Sequence, residues 1–146
     1  MSHTRAEHAF SRMKVFSWPV RVYYEDTDVA GVVYYANYLR FLERARTEWM
    51  RALGFELTTL EHDYHCLFAV HRLEIDYRVP ARLGDALDIT VTLLEHGHSR
   101  LRLKQTAGRA GAILCTANVT IVCLQSQTWR PVAMPGIVRV KLEGLD

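Results

Sequence analysis

The chain has 146 residues, 49% of them hydrophobic, and a formal net charge of +2 at pH 7. One domain of ordinary composition fits that length, with enough buried surface to need neither a disulfide nor a metal staple. So small a charge gives no electrostatic footprint for nucleic acid, and no apolar run approaches the roughly 18 residues of a membrane span.

Residues 1–14 read as a polar lead-in without the apolar centre of a signal peptide, so a cytoplasmic protein is expected. Trp18 to Tyr24 reads as a strand, rich in β-branched and aromatic residues. The acidic stretch Glu25-Asp26-Thr27-Asp28 stops it, and Gly31 marks a turn before Val32-Val33-Tyr34-Tyr35. Asn37 is placed to cap a helix. From there Tyr38, Phe41, Leu42, Ala45, Trp49, Ala52 and Leu53 recur at spacings of three and four, one face of an α-helix. Arg44 with Glu48, and Glu43 with Arg46, are spaced for mutual support, and Gly54 is a natural stop. The helix is expected to run about 16 residues, or about 24 Å.

Beyond residue 64 the period falls to two. Cys66 to Tyr77 is expected as a long strand, with Leu67, Ala69, His71, Leu73 and Ile75 on one alternation. Ala86–Leu94, a segment through Leu101, Leu103 and Gln105, and Ile113–Leu124 follow as strands, and Gly136–Lys141 reads as a short one. The turns between them are short, which favours antiparallel pairing. The helix stripe has one large apolar partner available, a face of that sheet. The expected fold is therefore α+β, a single domain over residues 1–146, with a curved antiparallel sheet wrapped around one long helix.

Cys66, Cys115 and Cys123 form no C-x-x-C pair and are read as buried, reduced thiols. His62 and His65, and His96 and His98, make only two-residue clusters without cysteine at zinc spacing, so no metal site is expected. No G-x-S-x-G elbow, P-loop or G-x-G-x-x-G is present. Taken alone, Glu25-Asp26-Thr27-Asp28 reads as a solvated turn closed by local side-chain bonds.

The order of elements and the run Tyr23-Tyr24-Glu25-Asp26-Thr27-Asp28-x-x-Gly31-Val32-Val33-Tyr34, continuing through Ala36-Asn37-Tyr38 and Glu43-Arg44-Ala45-Arg46-x-Glu48, resemble the hot-dog fold. The resemblance is to its 4-hydroxybenzoyl-CoA thioesterase branch and, within that, to the YbgC-type, Tol-Pal-associated acyl-CoA thioesterases. Weaker likeness passes through Ile75-Asp76-Tyr77-x-x-Pro80-Ala81, so that residues 19–125 are covered in all. It implies an acyl-CoA substrate, a catalytic carboxylate at Asp28, a backbone N–H donor at Tyr35 and a role for Tyr24. Many YbgC-type members carry His where Tyr35 stands, which leaves the backbone donor in place. The resemblance also implies a homo-oligomer, dimer or tetramer, with active sites between subunits. Acyl carrier protein is a further partner to expect, and a non-catalytic module that docks it is the alternative reading. A hot-dog dehydratase needs a catalytic His in its own motif, which is absent.

Thioester hydrolysis asks for an attacking oxygen and a place for charge on the carbonyl oxygen. A carboxylate supplies the first as general base toward water or as direct nucleophile, and both routes stand at this point. Backbone N–H groups at a helix start supply the second. No cofactor is required. Asp26 and Thr27 are expected to shape the loop and Glu25 to be exposed. Tyr24 and Tyr35 line the acyl pocket or pack at the helix–strand junction. Tyr34 and Glu48 are candidate substrate contacts, with an ion pair to Arg44 or Arg51 as the plain alternative for Glu48. Arg72, Arg78, Arg82, Arg100, Arg102 and Lys104 are phosphate ligands by type only.

Overall fold

The computed structural model describes residues 15–145; the expected polar lead-in lies outside the described residues. Five strands form one antiparallel sheet: β1 (Val15–Arg21), β2 (Cys66–Tyr77), β3 (Ala86–His96), β4 (Arg100–Arg109) and β5 (Ala112–Gln125), in the order β1-β3-β4-β5-β2. Helix α1 (Tyr38–Ala52) packs against β3, β1 and β4, α2 (Leu57–Tyr64) against β2, and α3 (Gly136–Glu143) closes the chain. This is the hot-dog arrangement of a sheet around one long helix.

The helix stripe enters the core as its spacing requires. Tyr38, Phe41, Leu42, Ala45, Trp49 and Met50 are buried, each large side chain contributing about 1.5–3 kcal/mol of transfer free energy. Ala52, expected on that stripe, is exposed, and Met50 takes the place. The helix ends in a Schellman pattern. Gly54 at φ +101° donates to the Arg51 carbonyl at 2.9 Å, and Phe55 donates to that of Met50 at 2.9 Å, a backbone turn that favours glycine. The matching faces of the sheet are Leu87, Ile89 and Val91 of β3, Leu101, Leu103, Gln105 and Ala107 of β4, and Cys115, Ala117, Val119, Ile121 and Cys123 of β5, all buried. The three cysteines are buried and free, and burial beside Cys66 pushes the Cys123 thiol up to about 12.

Several expectations need correction. The first strand is Val15–Arg21, not Trp18–Tyr24; its ladder runs out at Arg21 opposite Ala86, and Tyr24–Asp26 coils into a 3₁₀ turn. Asn37 does not cap the helix. Its backbone is already helical at φ −73°, ψ −20°, and its Nδ2 donates instead to the Asp26 carbonyl at 2.9 Å. The segment read as a strand at Gly136–Lys141 is α3, because Val138 and Leu142, four apart, both enter the core. Helix α2 gave no comparable stripe; Leu60 alone of its residues is buried.

The alternation assigned to β2 holds for only half the strand. A bulge between Val70 and Arg72 leaves His71 as an extra residue against β5. Cys66, Phe68 and Val70 pair with Cys123 and its neighbours on the same face as Leu73, Ile75 and Tyr77. The parity of the inward face therefore changes at His71, and Phe68, Leu73 and Ile75 all pack on the core.

Candidate active site

The acidic loop is a small hairpin leading to α1. The Asp28 N–H donates to the Val32 carbonyl at 2.9 Å, Thr27 bridges Val33, and the Gly31 N–H closes onto the Asp28 carbonyl at 3.0 Å. Gly31 sits at φ +77°, the left-handed region that a side chain disfavours. Val29 is the exposed tip.

Its members divide by environment. Asp26 is 6% exposed. Its Oδ2 accepts the Tyr23 N–H at 2.8 Å, and its carbonyl accepts the Tyr34 N–H at 3.1 Å and the Asn37 side chain. Thr27 Oγ1 donates to the Tyr24 carbonyl at 2.7 Å. Asp28 is exposed, and its Oδ1 accepts the Ala30 N–H at 2.8 Å, an Asx turn that orients the carboxylate without burying it. Glu25 is exposed, as expected.

Tyr35 opens the 3₁₀ turn Tyr35–Asn37, which runs directly into α1. The first N–H groups of a helical segment have no acceptor within it, so this end is a donor site. Its position is fixed from the sheet: the Tyr77 hydroxyl donates to the Tyr35 carbonyl at 3.0 Å. The rings of Tyr34 and Tyr35 lie 4.7 Å apart, and those of Tyr35 and Tyr77 meet nearly edge-on at 6.2 Å. The adjacent Tyr35 hydroxyl raises the Tyr34 phenol above its usual range. Tyr38, whose hydroxyl accepts the Ala81 N–H at 2.9 Å, is raised chiefly by burial. A cavity of about 190 Å³ lies against Tyr35, Tyr38, Tyr77 and Val79.

Tyr24 is 82% exposed, which removes the core-packing reading for it. Tyr34 and Tyr35 are exposed too, although their rings lie against each other at a tilt of 45°. Glu48 lies far along the helix, about 15 Å past Tyr38 at 1.5 Å per residue. Its carboxylate is bound by Arg51 at 2.8 Å and lines a surface groove with Trp18 and Arg44. The partner is thus Arg51 rather than Arg44, whose guanidinium stands 5.9 Å over the Phe41 ring. Glu43 attracts Arg46 through space, as the spacing suggested, but the guanidinium makes its hydrogen bond to Gln105, at 3.0 Å. Of the arginines considered for phosphate, Arg72 is bound to Glu74 and Arg102 to Glu95.

The sequence reading missed Tyr77 and the Arg46–Gln105 pair. Tyr77 stood within the weaker likeness at Ile75-Asp76-Tyr77 but carried no role there, being one more aromatic at a strand end. Gln105 did leave one: it is the polar residue on the Leu101, Leu103 alternation, and such a position is buried only with its bonds made. Among the described residues no cluster of histidine, cysteine, aspartate or glutamate could hold a metal ion. No helix among them is long and apolar enough to cross a membrane.

Residues 22–142 match the model of the thioesterase-like superfamily. The chain is 42% identical over 130 residues to the acyl-CoA thioesterase YbgC of Haemophilus influenzae, which covers 89% of this chain and 96% of that one. It is 33% identical over 111 residues to a 1,4-dihydroxy-2-naphthoyl-CoA hydrolase of Synechococcus elongatus, covering 75% of this chain and 82% of that one. The crystal structure of a probable thioesterase from Bartonella henselae superposes with a TM-score of 0.80 at 32% identity, covering 83% of this chain and 99% of the other.

Proposed function

The chain belongs to the thioesterase-like superfamily and to its YbgC branch, and from that premise we propose that it hydrolyses acyl-CoA. Water and the thioester give the free acid and CoA thiol. The observation that carries this reading is the contrast inside the acidic loop: Asp28 alone of its two aspartates is held in place yet left open to solvent. The hairpin that carries it leads along the chain to Tyr35, whose N–H opens the helical segment.

In this mechanism the Asp28 carboxylate takes a proton from the attacking water, contributing about 10²–10⁴-fold. Direct attack by Asp28 on the carbonyl carbon, through a mixed anhydride that water then cleaves, uses the same geometry. In either route the Tyr35 N–H receives the developing oxyanion, a donor typically worth about 3 kcal/mol. The Tyr77 hydroxyl, by holding the Tyr35 carbonyl, fixes the plane of the adjoining peptide group. Tyr24 and Tyr34, exposed beside the loop, serve as walls for the substrate.

The reading includes a homodimer formed edge to edge, able to pair again into a tetramer. Its support is the outer side of β2, twelve residues that pair with no strand but β5 among the described residues. Such an edge invites a second strand. The opposite edge, β1, carries Pro19, which cannot donate to a ladder.

The deciding assay is thiol release from a panel of short, long and aromatic acyl-CoAs, with the same acyl groups on acyl carrier protein in parallel. Asp28→Asn is expected to fold normally and to lose turnover. Unchanged turnover in that variant overturns the assignment, and binding of carrier protein with no release from any thioester replaces it with the docking module.

A further inference from the structure

Position 46 lies on the inward side of α1, one turn from Leu42 and from Met50, both buried. An aliphatic residue is the ordinary occupant of such a place. The chain puts an arginine there, half-buried, and burial pulls its guanidinium below the usual arginine value, with Glu43 opposing. It stays charged regardless.

Its surroundings answer only part of that charge. Nη1 donates to Gln105 Oε1 at 3.0 Å. Gln105 is fully buried and spends its Nε2 on the carbonyls of Leu42, at 3.0 Å, and Thr90, at 3.3 Å. The glutamine is therefore fixed with its one acceptor toward Arg46. A guanidinium has five N–H donors, and a neutral amide oxygen satisfies one of them without neutralising the charge.

The same side chain borders a cavity of about 300 Å³ between α1 and the sheet, with Met50, Phe68, Leu103 and Ile121 among its walls and the exposed Glu43, which attracts Arg46 without bonding it, at its side. A largely apolar pocket with a few fixed polar groups is the usual construction of a small-ligand site. A plain hydrocarbon there would leave the remaining guanidinium donors unmatched, which is costly once water is expelled.

We propose that this cavity is the acyl pocket and that Arg46 receives an oxygen on the acyl group. The substrate class is then an acyl-CoA with an apolar body and a hydroxyl or carbonyl oxygen, rather than an unsubstituted chain. This rests on the hydrolase reading and on β2 edge pairing. Arg46 lies about 12 Å along the axis from Tyr38, so the cavity and the Asp28 loop stand at different heights of one chain. Antiparallel pairing about the middle of β2 turns the Tyr77 end of one copy to the Cys66–Phe68 end of the other. The loop of one subunit thereby meets the cavity of the second.

The test compares matched acyl-CoA pairs that differ by one oxygen: butyryl with 3-hydroxybutyryl, octanoyl with 3-hydroxyoctanoyl, and benzoyl with 4-hydroxybenzoyl. In the wild type, the oxygenated member of at least one pair is expected to be favoured about tenfold or more in kcat/KM, mainly through KM, as a hydrogen bond to a charged group implies. Arg46→Met brings that ratio close to one; Arg46→Lys, which keeps the charge and loses the fork, falls between and serves alone if the methionine variant melts early. No preference in the wild type, or a ratio unmoved by either substitution, overturns the proposal and leaves Arg46 a staple between helix and sheet. Calorimetry with the uncleavable thioether analogues of the same pairs separates the two readings. If no thioester is hydrolysed, the hydrolase assignment fails, and a binding preference lost in Arg46→Met still upholds this one, whereas equal binding of both analogues overturns it.

Discussion

Asp26 is 6% exposed and engaged through both its carboxylate and its carbonyl; Asp28, two residues on, is exposed, and among the described residues its carboxylate meets the chain at the Ala30 N–H. The two have the same chemistry and almost the same sequence context. Their difference is what the hairpin does with them. One carboxylate is consumed in building the loop, and the other is held at its rim with an oxygen to spare. A reactive group needs the second condition, and the first is what makes the second reproducible.

That contrast can be broken from either side. Asp28→Asn keeps an oxygen for the Ala30 N–H, so its melting temperature should match the wild type while thiol release falls by about 100-fold or more; a large shift in melting would merge the two roles. Asp26→Ala is expected to do the reverse first, destabilising the protein by about 1–2 kcal/mol in urea denaturation because the part-buried Tyr23 N–H loses its acceptor. A neutral result there would mean that the loop stands without its foot. Tyr77→Phe removes the bond to the Tyr35 carbonyl and should cost about 0.5–1.5 kcal/mol of stability, with a modest fall in kcat rather than a rise in KM. Val29→Ala, at the exposed tip, should stay within about 0.5 kcal/mol of the wild type, and a larger effect would show that the tip is not free.

Much of the scaffold was readable before any coordinates. The α1 stripe repeats at three and four and needs an apolar partner, and the long strands alternate between glycine-bearing turns. The site loop was readable as a unit by its spacing, but the division between Asp26 and Asp28 was not, since burial depends on Asn37 and Tyr34 folding back over it. Helix α3 was misread because Ile137, Val138 and Val140 favour strands locally, while the core selects Val138 and Leu142 at helical spacing. Arg46 was read as a surface partner for Glu43 from helix spacing alone; its hydrogen-bond partner is 59 residues away on β4, a distance that no local pattern encodes.

The extra residue at His71 has a consequence of a different kind. Substituting it changes a side chain; removing it changes the count. With His71 removed, Val70 and Arg72 become neighbours opposite Ile121 and Thr120, and β2 runs on as a regular strand with Leu73 and Ile75 still inward and Tyr77 still opposite Cys115. A one-codon deletion at the bulge thus leaves the reactive end of the molecule in register, whereas the loss of a residue from a strand without one turns part of it over.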